Sequence, residues 1–356
     1  MHRPTAWVVL VLLFAGFCSG IGLLANARMA GGTLAPARWL DGEAGKTVNQ
    51  ALKLPLQPQV DAHVAALRYR LLGDAGPQVV LGCPGWLFYR DGLRPPVGQG
   101  EDAFAARVRL MRHWSRQLQA GGMQLMVVVV PDKSRIEQAH TCGLPYSGQA
   151  RQRLGQWQAA LDEAGVPTVD LLPVLGDGRV QGFFRTDVHM NRTGAQLAAD
   201  AVAETALPLL GGKGTQRFEV STADAPEPRM GDLIVLAGLE HAPAAWRPAL
   251  DMEAPQTMVP VHDGGLLDDA PPVEVLLLGS SNSLRSLFAE RLGNALGREV
   301  WNHSRDGGQF AGALLEAWPQ RGQWPASLKL VVWEFSEMAL SLPLTDEERA
   351  ALADIE

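Results

Sequence analysis

Cysteine is scarce. The 356 residues hold 3 Cys, too few for a disulfide-dense scaffold or a four-cysteine zinc site. A basic excess is missing too. Lys+Arg number 31 against 38 Asp+Glu, a net charge of −7, which is the wrong sign for a nucleic-acid binder. No internal repeat and no sustained heptad runs along the chain, which excludes solenoids and long coiled coils. What is present is 47% hydrophobic and 19% charged residues, with 38 Gly and 24 Pro. That is a folded protein with many loops, long enough for one large or two modest domains.

One long apolar run exists, Trp7 to Leu24, and it carries no charge. Its length is at the lower end of what spans a bilayer as a helix. Arg3 precedes it and Ala25-Asn26-Ala27 offers an A-x-A cleavage site. Residues 1–28 therefore read as a signal peptide or a retained membrane anchor, and the run exceeds a usual signal h-region, which favours the anchor. The chain beyond residue 28 is expected outside the cytoplasm. In an oxidising compartment Cys83 and Cys142 can pair, or they can stay as two buried thiols.

Residues 29–75 read as a lead-in arm with a short helix near 60–72. Beyond it, strand-like and helix-like stretches alternate. Short strands are expected at 78–81 and 86–89, and a helix at 101–120 stopped by Gly121-Gly122. The apolar run at 124–130 suits a strand buried on both faces of a parallel sheet. A helix at 147–164, a strand at 166–172 and a helix at 193–209, its start assigned to a capping box at Thr193, come next. Residues 211–272 read as a long insertion with short elements only. Strands at 274–278, 299–302 and 328–335 and helices at 283–296 and 309–317 complete the pattern, and 346–356 reads as a C-terminal tail. The alternation predicts an α/β layered fold with a mainly parallel sheet, whose sites lie at the carboxyl ends of the strands.

Two motifs carry chemistry. Gly279-Ser280-Ser281-Asn282-Ser283 joins a buried strand to a helix, where a serine can meet backbone N–H donors. A helix-capping turn would read the same way. Asp187-Val188-His189 lets the carboxylate reach Nδ1 of the imidazole and leaves Nε2 free as a base. An exposed loop before a helix capped by Asn191 or Thr193 is the plainer alternative. A metal site is disfavoured, because no matching ligand cluster is evident. Taken together, Ser281 as nucleophile, His189 as base and Asp187 as orienting carboxylate complete a triad. Lys133, just after a buried strand, can approach an anionic substrate or simply be paired at a strand end. Asn302 and Gly308, near the end of another strand, can contribute to an oxyanion hole. His303 is a rival to His189 as the base, but it lacks an Asp two residues away. Trp86 and Phe88 are expected in the core, with stacking on a sugar as the alternative, and Trp333 is expected to be structural in a buried strand.

The ordered set Gly85-Trp86-Leu87-Phe88, Pro131-Asp132-Lys133, Thr186-Asp187-Val188-His189 with Gly194, Gly279-Ser280-Ser281-Asn282-Ser283 and Val331-Val332-Trp333-Glu334-Phe335 resembles the periplasmic alginate O-acetyltransferase family, whose domains are SGNH-hydrolase-like. The resemblance implies an SGNH-like domain over 76–345, with the Asp-x-His pair permuted to precede the serine. It also implies O-acetyl transfer to hydroxyls of an exported polysaccharide through an acetyl-Ser281 intermediate, without a diffusible cofactor. The acetyl source would be a membrane-bound O-acyltransferase, and the protein would sit in the periplasm, tethered to the inner membrane. Two other readings stand beside this one. The first is a carbohydrate acetylesterase with the same triad. The second is a non-catalytic polysaccharide-binding or assembly subunit, since Met190 and Asn282 stand where the family often has aromatics.

Overall fold

The computed structural model describes residues 3–26, 35–40, 42–52, 57–96, 100–262 and 272–355. The chain divides into two units, Met1–Val64 and Ala65–Glu356. In the first unit the apolar run forms a helix, Arg3–Asn26, and its part Trp7–Asn26 is long and apolar enough to cross a membrane. Short helices Pro36–Leu40 and Glu43–Ala51 follow. Ala27 of the A-x-A site and parts of the lead-in arm lie outside the described residues.

Among the described residues the second unit holds ten strands: β1 (Val79–Leu81), β2 (Leu87–Tyr89), β3 (Gln124–Val130), β4 (Arg217–Thr222), β5 (Glu227–Arg229), β6 (Asp251–Glu253), β7 (Gln256–Val261), β8 (Val275–Leu278), β9 (Val300–Asn302) and β10 (Leu330–Ser336). Four of them form an all-parallel sheet in the order β3-β10-β8-β9. Side chains alternate across it, as period-two geometry requires. Leu125, Val127, Val129, Leu276, Leu278, Val331, Trp333 and Phe335 face one layer, with Leu110, Trp114, Trp157 and Leu314 of the covering helices. Met126, Val128, Val130, Val275, Leu277, Leu330 and Val332 face the other, with Ala198, Val202, Phe288 and Leu292. The interior is a set of apolar runs covered on both faces, the condition that lets parallel strands be hydrophobic throughout.

The order of the strands decides where a site can form. The crossover from β8 to β9 passes through Phe288–Leu296 on one face, and that from β9 to β10 through Gly312–Ala317 on the other. The winding reverses between them, so loops splay apart at the carboxyl ends of β8 and β10. β10 is the longer of the two: Trp333 pairs with Leu278, the last residue of β8, and the strand continues to Ser336.

Several expectations need correction. The strand at 166–172 reduces to a single bridge between Val127 and Thr168. Pro167 has no N–H to give a ladder, and the Asp170 carboxylate accepts the Leu172 N–H to open a helical turn. The helix after the Asp-x-His motif spans Arg192–Ala206, and its cap is Asn191, not Thr193: the Asn191 side chain accepts the Gly194 N–H at 2.9 Å. The helix at 283–296 is two pieces, Ser281–Arg285 and Phe288–Leu296, separated at Leu287 with φ 54°. The supposed tail is a helix, Asp346–Ala353, opened by a Thr345/Glu348 capping box. Its Glu348 is buried against Arg107 at 2.9 Å. The insertion does consist of short elements: the antiparallel ribbons β4–β7 and β5–β6 with a helix, Asp232–Leu236. Its residues 263–271 lie outside the described set.

Candidate active site

The serine loop follows β8. Gly279 is obligatory there, because a Cβ would collide with the side chains of Ser304 and Ser283. The three serines of the motif then take different roles. Ser280 caps the short helix Ser281–Arg285 and also binds Glu334, with its N–H donating at 2.7 Å and its hydroxyl at 2.9 Å. The Ser283 hydroxyl donates to the same carboxylate at 2.6 Å. Glu334 projects from the part of β10 that outruns β8, and it is buried. Burial pushes its carboxyl above the ordinary range, against the pull of these hydrogen bonds. Ser281 alone of the three makes no hydrogen bond through its hydroxyl among the described residues, and it is half-buried.

The Asp-x-His loop is gripped from several sides. The Glu137 carboxylate accepts the N–H groups of Gly182 and Phe183. Asp251 accepts the Thr186 N–H at 2.9 Å and the Thr186 hydroxyl at 2.6 Å, and it pairs with Arg185. Gly231 lies against Thr186 so closely that a Cβ would overlap the Thr186 carbonyl. Lys133 was a candidate substrate contact, and the structure gives it another role. Its ammonium is buried and donates to the carbonyls of Leu87, Arg185 and Asp187 at 2.7, 2.8 and 3.0 Å. All three donors are spent on holding backbone. Burial lowers its pKa to about 7, partly offset by Asp187 and other carboxylates.

Within this frame His189 Nδ1 lies 2.7 Å from Asp187 Oδ1. Asp187 is an acceptor, so Nδ1 carries the proton and Nε2 presents a lone pair. Nε2 is buried and has no hydrogen-bond partner among the described residues. The other oxygen of Asp187 takes Arg229 at 3.0 Å. Burial alone would raise the Asp187 carboxyl, but His189 and Arg229 hold it well below the usual carboxylate range.

A charged relay joins the two loops. Asp232 Oδ2 stands 3.7 Å from His189 Nδ1, and Arg285 holds Asp232 at 2.8 Å and Asp306 at 2.9 Å. Arg285 is four residues after Ser281 on the same short helix, so both project from one face. The face that carries the uncommitted hydroxyl is therefore the face tied to Asp232. Asp187, His189 and Asp232 also lie close enough to chelate a cation. Each of the two carboxylates already faces a guanidinium, however: Arg229 on Asp187, and Arg285, shared with Asp306, on Asp232.

The remaining sequence candidates take other places in the fold. Asn302, at the carboxyl end of β9, is exposed and its Oδ1 accepts the Ser304 N–H. Gly308 is buried and its carbonyl accepts the Gly312 N–H. His303 is exposed. Cys83 and Cys142 form a disulfide, with Cα atoms 5.0 Å apart. Trp86 is buried and stacks on His140, with centroids 4.0 Å apart; Phe88 and Trp333 are buried as expected. Sequence reasoning missed Arg229, Asp232, Asp251, the role of Glu334, and the buried Glu337 with Arg135 and Arg153 paired to it at 2.7 and 2.9 Å. The motif T-x-x-E at 345–348 could have revealed the last helix. No local pattern marks the others, because their partners lie far away in the chain.

A layered sheet with a serine loop and a buried Asp–His pair at its carboxyl edge defines an SGNH-type fold. Residues 79–337 match the family model described as "SGNH hydrolase-like domain, acetyltransferase AlgX", and the chain belongs to that family. It is 30% identical over 296 residues to "Probable alginate O-acetylase AlgJ" of Pseudomonas aeruginosa, covering 78% of this chain and 74% of that protein. The protein of the same name from Pseudomonas putida is 29% identical over 292 residues, with 78% and 74% covered. The solved O-acetyltransferase domain of Pseudomonas putida AlgJ superposes with TM-score 0.65 at 28% identity, over 79% of this chain and all 100% of that one. Pseudomonas aeruginosa AlgX shares the fold, with TM-score 0.56 at 23% identity over 74% of this chain and 66% of that one.

Proposed function

We propose that the protein is a serine-dependent O-acetyltransferase that acetylates hydroxyls of an exported, alginate-like polysaccharide. The observation that carries the reading is the buried Asp187–His189 pair with its free Nε2, linked through Asp232 and Arg285 to the helix face that bears Ser281. Ser281 Oγ attacks the acetyl carbonyl of a donor ester while Nε2 takes its proton. Collapse of the tetrahedral adduct expels the donor alcohol, which leaves with that proton. Nε2 then removes the proton of a sugar hydroxyl, whose oxygen attacks acetyl-Ser281, and the serine is regenerated on re-protonation. Asn302 and Gly308 are the candidate oxyanion donors. The apolar N-terminal helix and the kinship with the AlgJ proteins support an exported or anchored enzyme. In this reading it works in the periplasm beside a membrane-bound O-acyltransferase that supplies acetyl groups. Half-buried Ser281, still open to solvent, favours a competing hydrolytic outcome, with water as acceptor.

The test is intact-peptide mass spectrometry after incubation with an activated acetate ester, together with transfer and hydrolysis assays on one oligosaccharide. The peptide containing Ser281 gains one acetyl group, and Ser281→Ala abolishes both the adduct and turnover without changing the fold. Asp187→Asn, which presents the wrong hydrogen-bonding group to Nδ1, costs roughly 10³–10⁴ in rate. Turnover retained in Ser281→Ala refutes the serine mechanism.

A further inference from the structure

We propose that the β5–β6 ribbon of the insertion is a positioning device for the base, in which Arg229 shares the Asp187 carboxylate with His189, fixes that carboxylate in place and limits the negative charge facing Nδ1. The inference rests on the reading of His189 as the general base. Arg229 and Asp251 are directly opposite in the β5–β6 ladder, so their side chains leave the ribbon on the same side. Both reach the same short loop. Asp251 holds Arg185 and Thr186, while Arg229 holds Asp187. The guanidinium also lies over the Phe184 ring, 4.6 Å from its centroid, which fixes its direction of approach. One cross-strand pair thus clamps three consecutive residues, two positions before the imidazole.

The charges around the imidazole show why Arg229 matters. Asp187 and Asp232 present negative charge to the ring, 2.7 and 3.7 Å from Nδ1. Arg285 is shared between Asp232 and Asp306, and Lys133 lies on the backbone carbonyl of Asp187. Among the described residues, Arg229 is the cation that engages the carboxylate bound to Nδ1. Removing its charge leaves Asp187 to hold the imidazolium more tightly. A unit charge one carboxylate away, in a buried site, is worth roughly tenfold in proton affinity. The acid limb of activity should therefore move to higher pH.

The experiment titrates the His189 resonance by NMR in the full-length protein and in Arg229→Met, Arg229→Gln and Arg229→Lys, assigned with His189→Ala. Acetyl-ester hydrolysis is measured over the same pH range. Expected are an upward shift of about one pH unit in the His189 midpoint for Met and Gln, the same displacement of the acid limb, and near-complete rescue by Lys. An unmoved or lowered midpoint in a folded Met or Gln variant overturns the inference, as does a loss of rate with no change in the profile. If Ser281→Ala retains turnover, the serine reading fails, while the His189 midpoint still decides for or against Arg229.

Discussion

Replacing Glu334 should damage the site through the serine loop without touching substrate. The carboxylate accepts the Ser280 N–H and hydroxyl and the Ser283 hydroxyl at 2.7, 2.9 and 2.6 Å. Glu334→Ala leaves these donors facing a small void. The two hydroxyls can turn to other acceptors, but the Ser280 N–H cannot. An unsatisfied buried donor costs about 1–3 kcal/mol, and the void adds roughly another 1 kcal/mol. The two together amount to a loss of about 2–4 kcal/mol, the upper end reduced by relief of a desolvated charge. At about 2.1 cal/mol/K per residue, a body of roughly 290 residues has an unfolding entropy near 0.6 kcal/mol/K, so Tm should fall by about 3–7 °C. Glu334→Gln keeps one acceptor for the backbone N–H and should lose only about 1 kcal/mol. Both variants should lower kcat at least roughly tenfold, because Ser281 comes directly after the residue that loses its anchor. Differential scanning fluorimetry and acetyl-ester turnover measure the two effects. An alanine variant with the parent's Tm and kcat would refute the claim that this carboxylate shapes the loop.

The scaffold gives two more expected outcomes. Serine at both Cys83 and Cys142 removes a link between positions 59 residues apart; on the chain-entropy model this costs about 4 kcal/mol, read as a lower denaturant midpoint that matches the reduced parent. Glu348→Gln leaves the buried Arg107 guanidinium without its counter-charge and should cost about 3–5 kcal/mol, whereas the paired substitution Arg107→Met with Glu348→Met should recover most of it; equilibrium unfolding tests both.

The sequence announced its interior more clearly than its supports. The run 124–130 is β3 to the residue, because burial on both faces from Leu125 to Val130 leaves polar Gln124 only the exposed first position. The strands at 274–278 and 328–335 differ from β8 and β10 by one or two residues at their ends. Asp187 and His189 meet as their two-residue spacing predicts. The failures have local causes. At 166–172 the apolar pattern suits a strand, but proline and an Asp-capped turn break the ladder. At 283–296 helical periodicity runs on through Leu287, while the backbone there turns left-handed, with φ 54°. At Thr193 the capping motif matched, yet Asn191 stood nearer the first turn and took the role. The charged supports escaped because each depends on a partner 42 or more residues away: Arg229 on Asp187, Asp251 on Thr186, Glu334 on Ser280. No short window along the chain contains such pairs.

An excursion that looks like ornament is usually the first part removed when an enzyme is shortened for engineering, or exchanged when loops are grafted between relatives. In this molecule residues 211–262 contain the guanidinium on the orienting carboxylate, the acid beside the imidazole and the acid that holds Thr186. A streamlined version should therefore keep its packed layers of helix and strand, pass every check for a well-made protein, and turn over nothing.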